Sequence, residues 1–176
     1  MESKWLRIIM IRSNTKLGDI FCVKIDENNK KYFQYIANDL TQLNSDVIRA
    51  FKRIYSITDK PELLEIIQDE VDFYAHCVTK FGIKQGLWEK VGNIPFTGTV
   101  DVIFRGTNDA GHKLGDEPIK ISSNWHIWRI NDRDFTTVGK LTGENRKSEI
   151  GSVMPPFMIV ERIKTGKYNF VYPDFE

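Results

Sequence analysis

The chain has 176 residues, a formal net charge of +1 and an apolar content of 41%. This length and composition predict a single folded domain over residues 1–176 and exclude an intrinsically disordered chain. The near-zero net charge argues against a nucleic-acid coat protein, which needs a basic excess.

The first residues lack the charged and then apolar pattern of a signal peptide, and no run of about 18 apolar residues would span a membrane. Cys22 and Cys77 lie among apolar residues. This setting favours buried free thiols in a reducing compartment over a disulfide. We therefore expect a cytoplasmic protein that does not bind membranes. A bridge between the cysteines, and export without a cleavable signal, are the alternatives.

Three segments near the start predict an antiparallel meander. Residues 5–12 are apolar and β-branched, as in a buried strand. Residues 18–25 alternate between apolar and other side chains, with Phe21 directed inward, and residues 31–37 alternate again after the polar turn 26–30. The two alternating segments form the predicted hairpin.

The middle of the chain is less regular. Residues 38–45 are polar and predict a loop. Residues 46–55 fit either a helical stripe or a strand, and the meander before them favours a strand. Pro61 opens a short helix over residues 62–67, and residues 71–79 return to strand character.

Short strands continue in the last part of the chain, over residues 87–91, 100–105, 119–130 and 135–141, with loops over 106–118 and 143–151. A helix follows Pro155 and Pro156 and ends at Gly166. The aromatic tail 168–176 is expected to dock along the body. The predicted fold class is mainly β (α+β): a single compact domain with a strongly bent antiparallel sheet or a small barrel and one or two short helices.

Catalytic and metal-binding patterns are not evident. His76, His112 and His126 have irregular spacing, which is poor for zinc. Cys77 follows His76 in a predicted strand, so their side chains point to opposite faces and cannot act as a nucleophile and its base. The sequence therefore predicts no catalytic residue, no cofactor and no metal, and we expect a protein that is not an enzyme.

A cluster of carboxylates and two tryptophans give the candidate partner-binding residues. The carboxylates fit a solvated helix face, or an acidic patch that docks a basic partner. Trp125 and Trp128 are three residues apart in a strand, so one is expected in the core and the other at least partly exposed. An exposed tryptophan anchors many interfaces. The predicted partner-binding residues are Glu62, Glu65, Asp69, Glu70, Asp72, Trp88 and Trp128.

The hairpin also carries a family resemblance. Gly18, Asp19 and Phe21, followed by the aromatic strand 32–37, resemble the opening of the Gly-Asp-x-Phe immunity proteins of bacterial polymorphic toxin systems, the immunity protein 26 type. The likeness extends to residues 125–130 and 160–166. It implies a non-catalytic protein that binds and neutralises a cognate protein toxin.

Two other functions remain open from the residues themselves. One is a small β-barrel module that binds a ligand or nucleic acid, although the net charge argues against nucleic acid. The other is an enzyme of unrecognised type with its active residues on the long loops. The loop 106–118 is the next surface to consider if the acidic stretch does not bind a partner.

Overall fold

The structure is a computed structural model that describes residues 14–96, 98–111 and 115–176. These residues form eleven strands in two sheets, three short α-helices and a 3₁₀-helix at Gly143–Lys147. The strands are β1 Asp19–Lys24, β2 Asn29–Asp39, β3 Ser45–Phe51, β4 Tyr55–Ser56, β5 Val71–Cys77, β6 Glu89–Asn93, β7 Phe104–Thr107, β8 Trp125–Trp128, β9 Thr136–Gly139, β10 Glu149–Ile150 and β11 Val153–Met154. The α-helices are α1 Leu63–Ile67, α2 Thr79–Lys84 and α3 Pro156–Thr165.

The first sheet has seven strands in the order β11-β5-β3-β2-β1-β6, with β4 beside β2. Its central strands are antiparallel, as the meander predicted, and β11 joins β5 in parallel. The second sheet has the order β10-β7-β8-β9. The mainly β fold class is confirmed, and within the described ranges neither sheet closes into a barrel.

The first sheet buries apolar side chains on both faces. On one face Phe21, Phe33 and Phe73 pack with Ile159 and Ile163 of α3. On the other face one group of apolar side chains packs with α1, and a second group packs with Phe104 and Trp128 of the second sheet. Phe21 is fully buried, as the alternation of β1 predicts.

A bulge in β2 changes which face the end of that strand presents. Tyr35 lies opposite Ile48 and Ala37 lies opposite Val47, so β2 has one extra residue between these pairs. Before the bulge, Phe33 and Tyr35 face the core under α3. After it, Ala37 packs with the group that faces the second sheet, which corrects the simple alternation expected for residues 31–37.

Several local predictions are confirmed and others are corrected. Residues 46–51 lie in β3 and Tyr55 begins β4, so the preference for strand is confirmed there, whereas residues 52–54 connect the two strands. Helices occur after Pro61 and after Pro155, the latter closed by Gly166 at φ 80°. Helix α2 was not predicted, β7 begins later than expected, and the expected loop 143–151 holds the 3₁₀-helix and β10. The predicted strand 5–12 and His112 lie outside the described residues.

Candidate functional site

The acidic segment comprises Glu62, Glu65, Asp69, Glu70 and Asp72 and runs from the start of α1 into β5. All five side chains are exposed or partly exposed. The segment lies beside the connection between β3 and β4, because Phe51 at the end of β3 pairs with Val71 at the start of β5. The structure therefore brings the five predicted carboxylates to the end of the first sheet where β3 ends and β5 begins.

Basic groups neutralise most of the acidic segment. Arg53 Nη1 pairs with Glu65 Oε1 at 2.7 Å, and Lys52 Nζ pairs with Glu70 Oε1 at 2.5 Å. Lys31 Nζ lies 3.5 Å from Asp72 Oδ2. The resulting surface has mixed charge and is less acidic than the sequence suggests. Its exposed ion pairs contribute little to the stability of the fold.

Two exposed apolar side chains lie within this surface. Leu64 on α1 is 61% exposed and Ile54, after β3, is 57% exposed. Each is the chain neighbour of one member of the Arg53–Glu65 ion pair. An apolar centre with a charged rim is the usual composition of a protein–protein interface. We call the acidic segment together with residues 52–54 and Leu64 the mixed-charge face.

Trp88, Trp125 and Trp128 are buried, which corrects the expectation that Trp125 or Trp128 is at least partly exposed. Trp88 is 4% exposed and Trp128 is 5% exposed. Trp88 packs edge-to-face on Phe33 with ring centroids 5.0 Å apart, and its Nε1 donates to the Thr79 carbonyl at 2.9 Å. Neither side chain is available as an exposed anchor in this conformation.

The C-terminal tail covers the one face of β8 that the first sheet leaves open, so both Trp125 and Trp128 are buried. Trp128 packs toward the first sheet, while Trp125 points to the other face of β8. Tyr172 and Phe175 cover Trp125 with ring centroids at 6.0 and 6.4 Å. The expected docking of the tail is confirmed, and it removes the exposure that strand alternation alone predicted.

A cleft of about 350 Å³ opens between β5 and the second sheet. Its charged side chains pair with one another or with neighbours: Arg129 Nε donates to Asp101 Oδ1 at 2.9 Å, and Arg162 Nη2 donates to Glu149 Oε2 at 2.7 Å. Within residues 14–96, 98–111 and 115–176, no group of three His, Cys, Asp or Glu side chains is placed to hold a metal ion. The charged side chains named here are held in ion pairs, as is common in surface clefts, and do not converge on a shared point.

Both cysteines are buried free thiols, as predicted. Burial raises the pKa of Cys22 and of Cys77 above the ordinary thiol value. The raised pKa keeps both groups protonated at neutral pH, and a protonated thiol is a poor nucleophile.

No helix in the described part of the chain is long and apolar enough to cross a membrane.

The polar centre of the molecule is a buried hydrogen-bonded pair, Asp39 and His76, that the sequence did not indicate. Asp39 at the end of β2 and His76 on β5 are both fully buried, and His76 Nε2 donates to Asp39 Oδ2 at 2.9 Å. The His76 ring packs on Phe104 of the second sheet with centroids 4.1 Å apart. The other carboxylate oxygen, Oδ1, accepts hydrogen bonds from Thr41 Oγ1 at 2.7 Å and from Asn131 N at 3.2 Å.

The environment fixes the charge state of this pair. Burial by itself raises the pKa of Asp39, but hydrogen bonds from Thr41, His76 and Asn131 outweigh burial and lower the pKa. Burial lowers the pKa of His76, and the Asp39 carboxylate opposes this effect only in part. At neutral pH an ionised Asp39 therefore accepts a hydrogen bond from a neutral His76.

The loop between β2 and β3 exposes two leucines that the sequence did not single out. Leu40 and Leu43 are 71% and 85% exposed in this loop, although its composition predicted only a polar connection. The available signal was two leucines in a segment with neither strand nor helix periodicity.

Comparison with models of known protein families gives a match to this chain. The family model described as Immunity protein 26 matches residues 16–113, a little more than half of the chain. The matched span includes β1 to β7 and the acidic segment, whereas β8 to β11 and α3 lie beyond it. No curated protein and no solved structure matches the chain.

The Asp39–His76 pair predicts a loss of stability in mild acid. The unfolded chain binds a proton at His76 near the ordinary pKa of about 6.5, whereas the folded chain resists it, so the free energy of unfolding should fall between about pH 7.5 and about pH 5. One proton contributes at most about 1.4 kcal/mol per pH unit. Below about pH 4 the lowered pKa of Asp39 adds a second loss of the same sign. Urea unfolding followed by tryptophan fluorescence at several pH values measures both.

His76→Gln keeps a donor for Asp39 and removes the titration, so its stability should depend less on pH in the upper range. His126→Gln is measured beside it, because burial also lowers the pKa of His126 and its removal should also reduce part of the pH dependence. Equal pH slopes for the wild type and His76→Gln would contradict this account.

Proposed function

The chain belongs to the Immunity protein 26 family, and from that membership we propose that it binds and neutralises a cognate bacterial protein toxin. The family match over residues 16–113 is the observation that carries this proposal. Neutralisation acts by occupancy and without catalysis: the bound chain covers the active site of the toxin or a surface that the toxin needs for assembly.

The mixed-charge face is the surface that we propose for first encounter with the toxin. Glu62 is exposed at the start of α1, and Glu65 and Glu70 keep 43% and 73% exposed side chains even in their ion pairs. Five carboxylates against three basic partners leave an acidic excess, which would attract a basic toxin domain. Such steering acts mainly on the association rate.

Co-expression tests the proposed function. The candidate toxin is the protein that co-purifies with the chain from its native cell, and its toxic domain is expressed from an inducible promoter, with and without the chain. We expect growth arrest by the toxin alone, growth in the presence of the chain, and a stable complex of the two purified proteins. Growth arrest despite full expression of the folded chain, together with no complex, would contradict the proposed function.

Charge reversal at Glu65 and Asp69 tests the encounter surface. The double variant Glu65→Lys and Asp69→Lys should bind the same toxin domain roughly tenfold more slowly at low salt, and the difference should shrink as salt rises because screening weakens steering. Stopped-flow or surface plasmon resonance measures the association rate. Glu161→Lys on α3 is the control, since α3 packs on the other face of the first sheet. Equal association rates for the double variant and the wild type would place encounter elsewhere, with the loop 106–118 as the next candidate.

A further inference from the structure

The β2–β3 turn, residues 40–44, presents the two most exposed large apolar side chains recorded in the described chain. Leu43 is 85% exposed and Leu40 is 71% exposed. Isolated exposed leucines are common on protein surfaces and need no explanation. Two of them within one five-residue turn, with no charged residue between them, form an apolar tip.

The backbone of Leu43 is held in a conformation that leucine disfavours. Leu43 and Asn44 have φ of 55° and 51°, and Ser45 N donates to the Gln42 carbonyl at 3.0 Å. Two successive positive φ values are typical of a type I′ turn, where Asn and Gly predominate. Asn44 suits its position, but Leu43 combines left-handed strain with an exposed apolar side chain, and neither property favours folding.

The turn is also fixed at its base. Asp39 Oδ1 accepts from Thr41 N at 3.0 Å, and the Asn131 side chain accepts from Leu40 N at 2.8 Å. Asn38 Nδ2 donates to the Ser45 carbonyl at 3.1 Å, closing the turn from the other side. A tip held in this way loses little conformational freedom when it is bound.

We propose that the β2–β3 turn is the apolar anchor that inserts into a pocket on the cognate toxin, an inference that rests on the proposed function. The tip supplies the role that the sequence assigned to Trp88 or Trp128, both of which are buried. The pocket that receives the tip is uncharged and apolar and lies on the toxin surface. It is wide enough for the Leu43 side chain, with Leu40 at its rim.

The charges around the tip favour a protein pocket over a membrane or nucleic acid. Residues 40–45 carry no lysine or arginine. The neighbouring loop adds Asp132, Arg133 and Asp134, and the next charged residue along the chain is Asp46, which accepts hydrogen bonds from Thr79. Anionic lipids and nucleic acids are recognised by clusters of basic residues, and residues 40–45 contribute none.

The tip and the mixed-charge face lie at opposite ends of β3. Ser45 at one end pairs with Asp39, and Phe51 at the other pairs with Val71. Seven strand residues separate the two surfaces by about 20 Å. Substitutions at one surface therefore leave the other in place, so the two can be tested separately.

The test is Leu43→Asn, measured against the same purified toxin domain. Asparagine tolerates a positive φ, so the melting temperature should be unchanged or raised by about 2–4 °C. The dissociation constant should rise at least about thirtyfold, the effect of a hot-spot residue, mostly through faster dissociation. Leu40→Asn should weaken binding in the same direction. Val171→Asn in the C-terminal tail is the matched control, because Val171 is 63% exposed.

The outcomes separate this inference from the proposed function. Wild-type affinity in Leu43→Asn would overturn the anchor while leaving toxin binding intact, and a loss confined to Leu64→Asn would move the anchor to the mixed-charge face. A melting temperature lowered by more than about 4 °C would mean that Leu43 serves the fold. Binding to phosphatidylglycerol vesicles that depends on Leu43 would overturn the choice of a protein partner. Failure of the wild-type chain to bind the toxin would contradict the proposed function and this inference together.

Discussion

The carboxylate of Asp39 is the interaction on which the arrangement of the two sheets depends. It is fully buried between them and receives hydrogen bonds from His76 on β5, from Thr41 in the β2–β3 turn and from Asn131 beyond β8. A buried charge without such partners is strongly unfavourable, and each hydrogen bond to a charged group typically contributes about 1.5–3 kcal/mol. The carboxylate therefore selects one arrangement of β2, β5 and the β8–β9 loop, whereas apolar packing alone is less directional.

This constraint links the fold to the proposed function. The β2 bulge directs Asp39 toward the second sheet, and the same carboxylate then fixes the turn that exposes Leu43. A protein that inhibits by occupancy needs a surface that is rigid before the partner arrives, because ordering during binding reduces affinity. The mixed-charge face meets a different need, since exposed charges act at a distance and require less exact positions.

The sequence predicted those elements whose signals are local. The alternation of β1 and the first part of β2, the prolines before α1 and α3, and the C-terminal Gly166 each act within a few residues. The errors arose from contacts between distant residues. The tail covers Trp125, Trp88 packs on Phe33, and basic groups from β2 and the β3–β4 connection neutralise the acidic segment. The bulge that turns the Asp39 side chain to the face of the sheet that carries His76 is equally invisible to a two-residue period.

Amide hydrogen exchange in the isosteric variant Asp39→Asn tests the central role of this carboxylate most directly. The backbone amides of Thr41 and Asn131 donate to Asp39 in the wild type. Both amides should exchange faster in Asp39→Asn, while the amides of the β1–β2 pairing, on the far side of β2 from β3, keep their protection. Unchanged exchange at Thr41 and Asn131 in a folded Asp39→Asn variant would contradict the central role of this carboxylate.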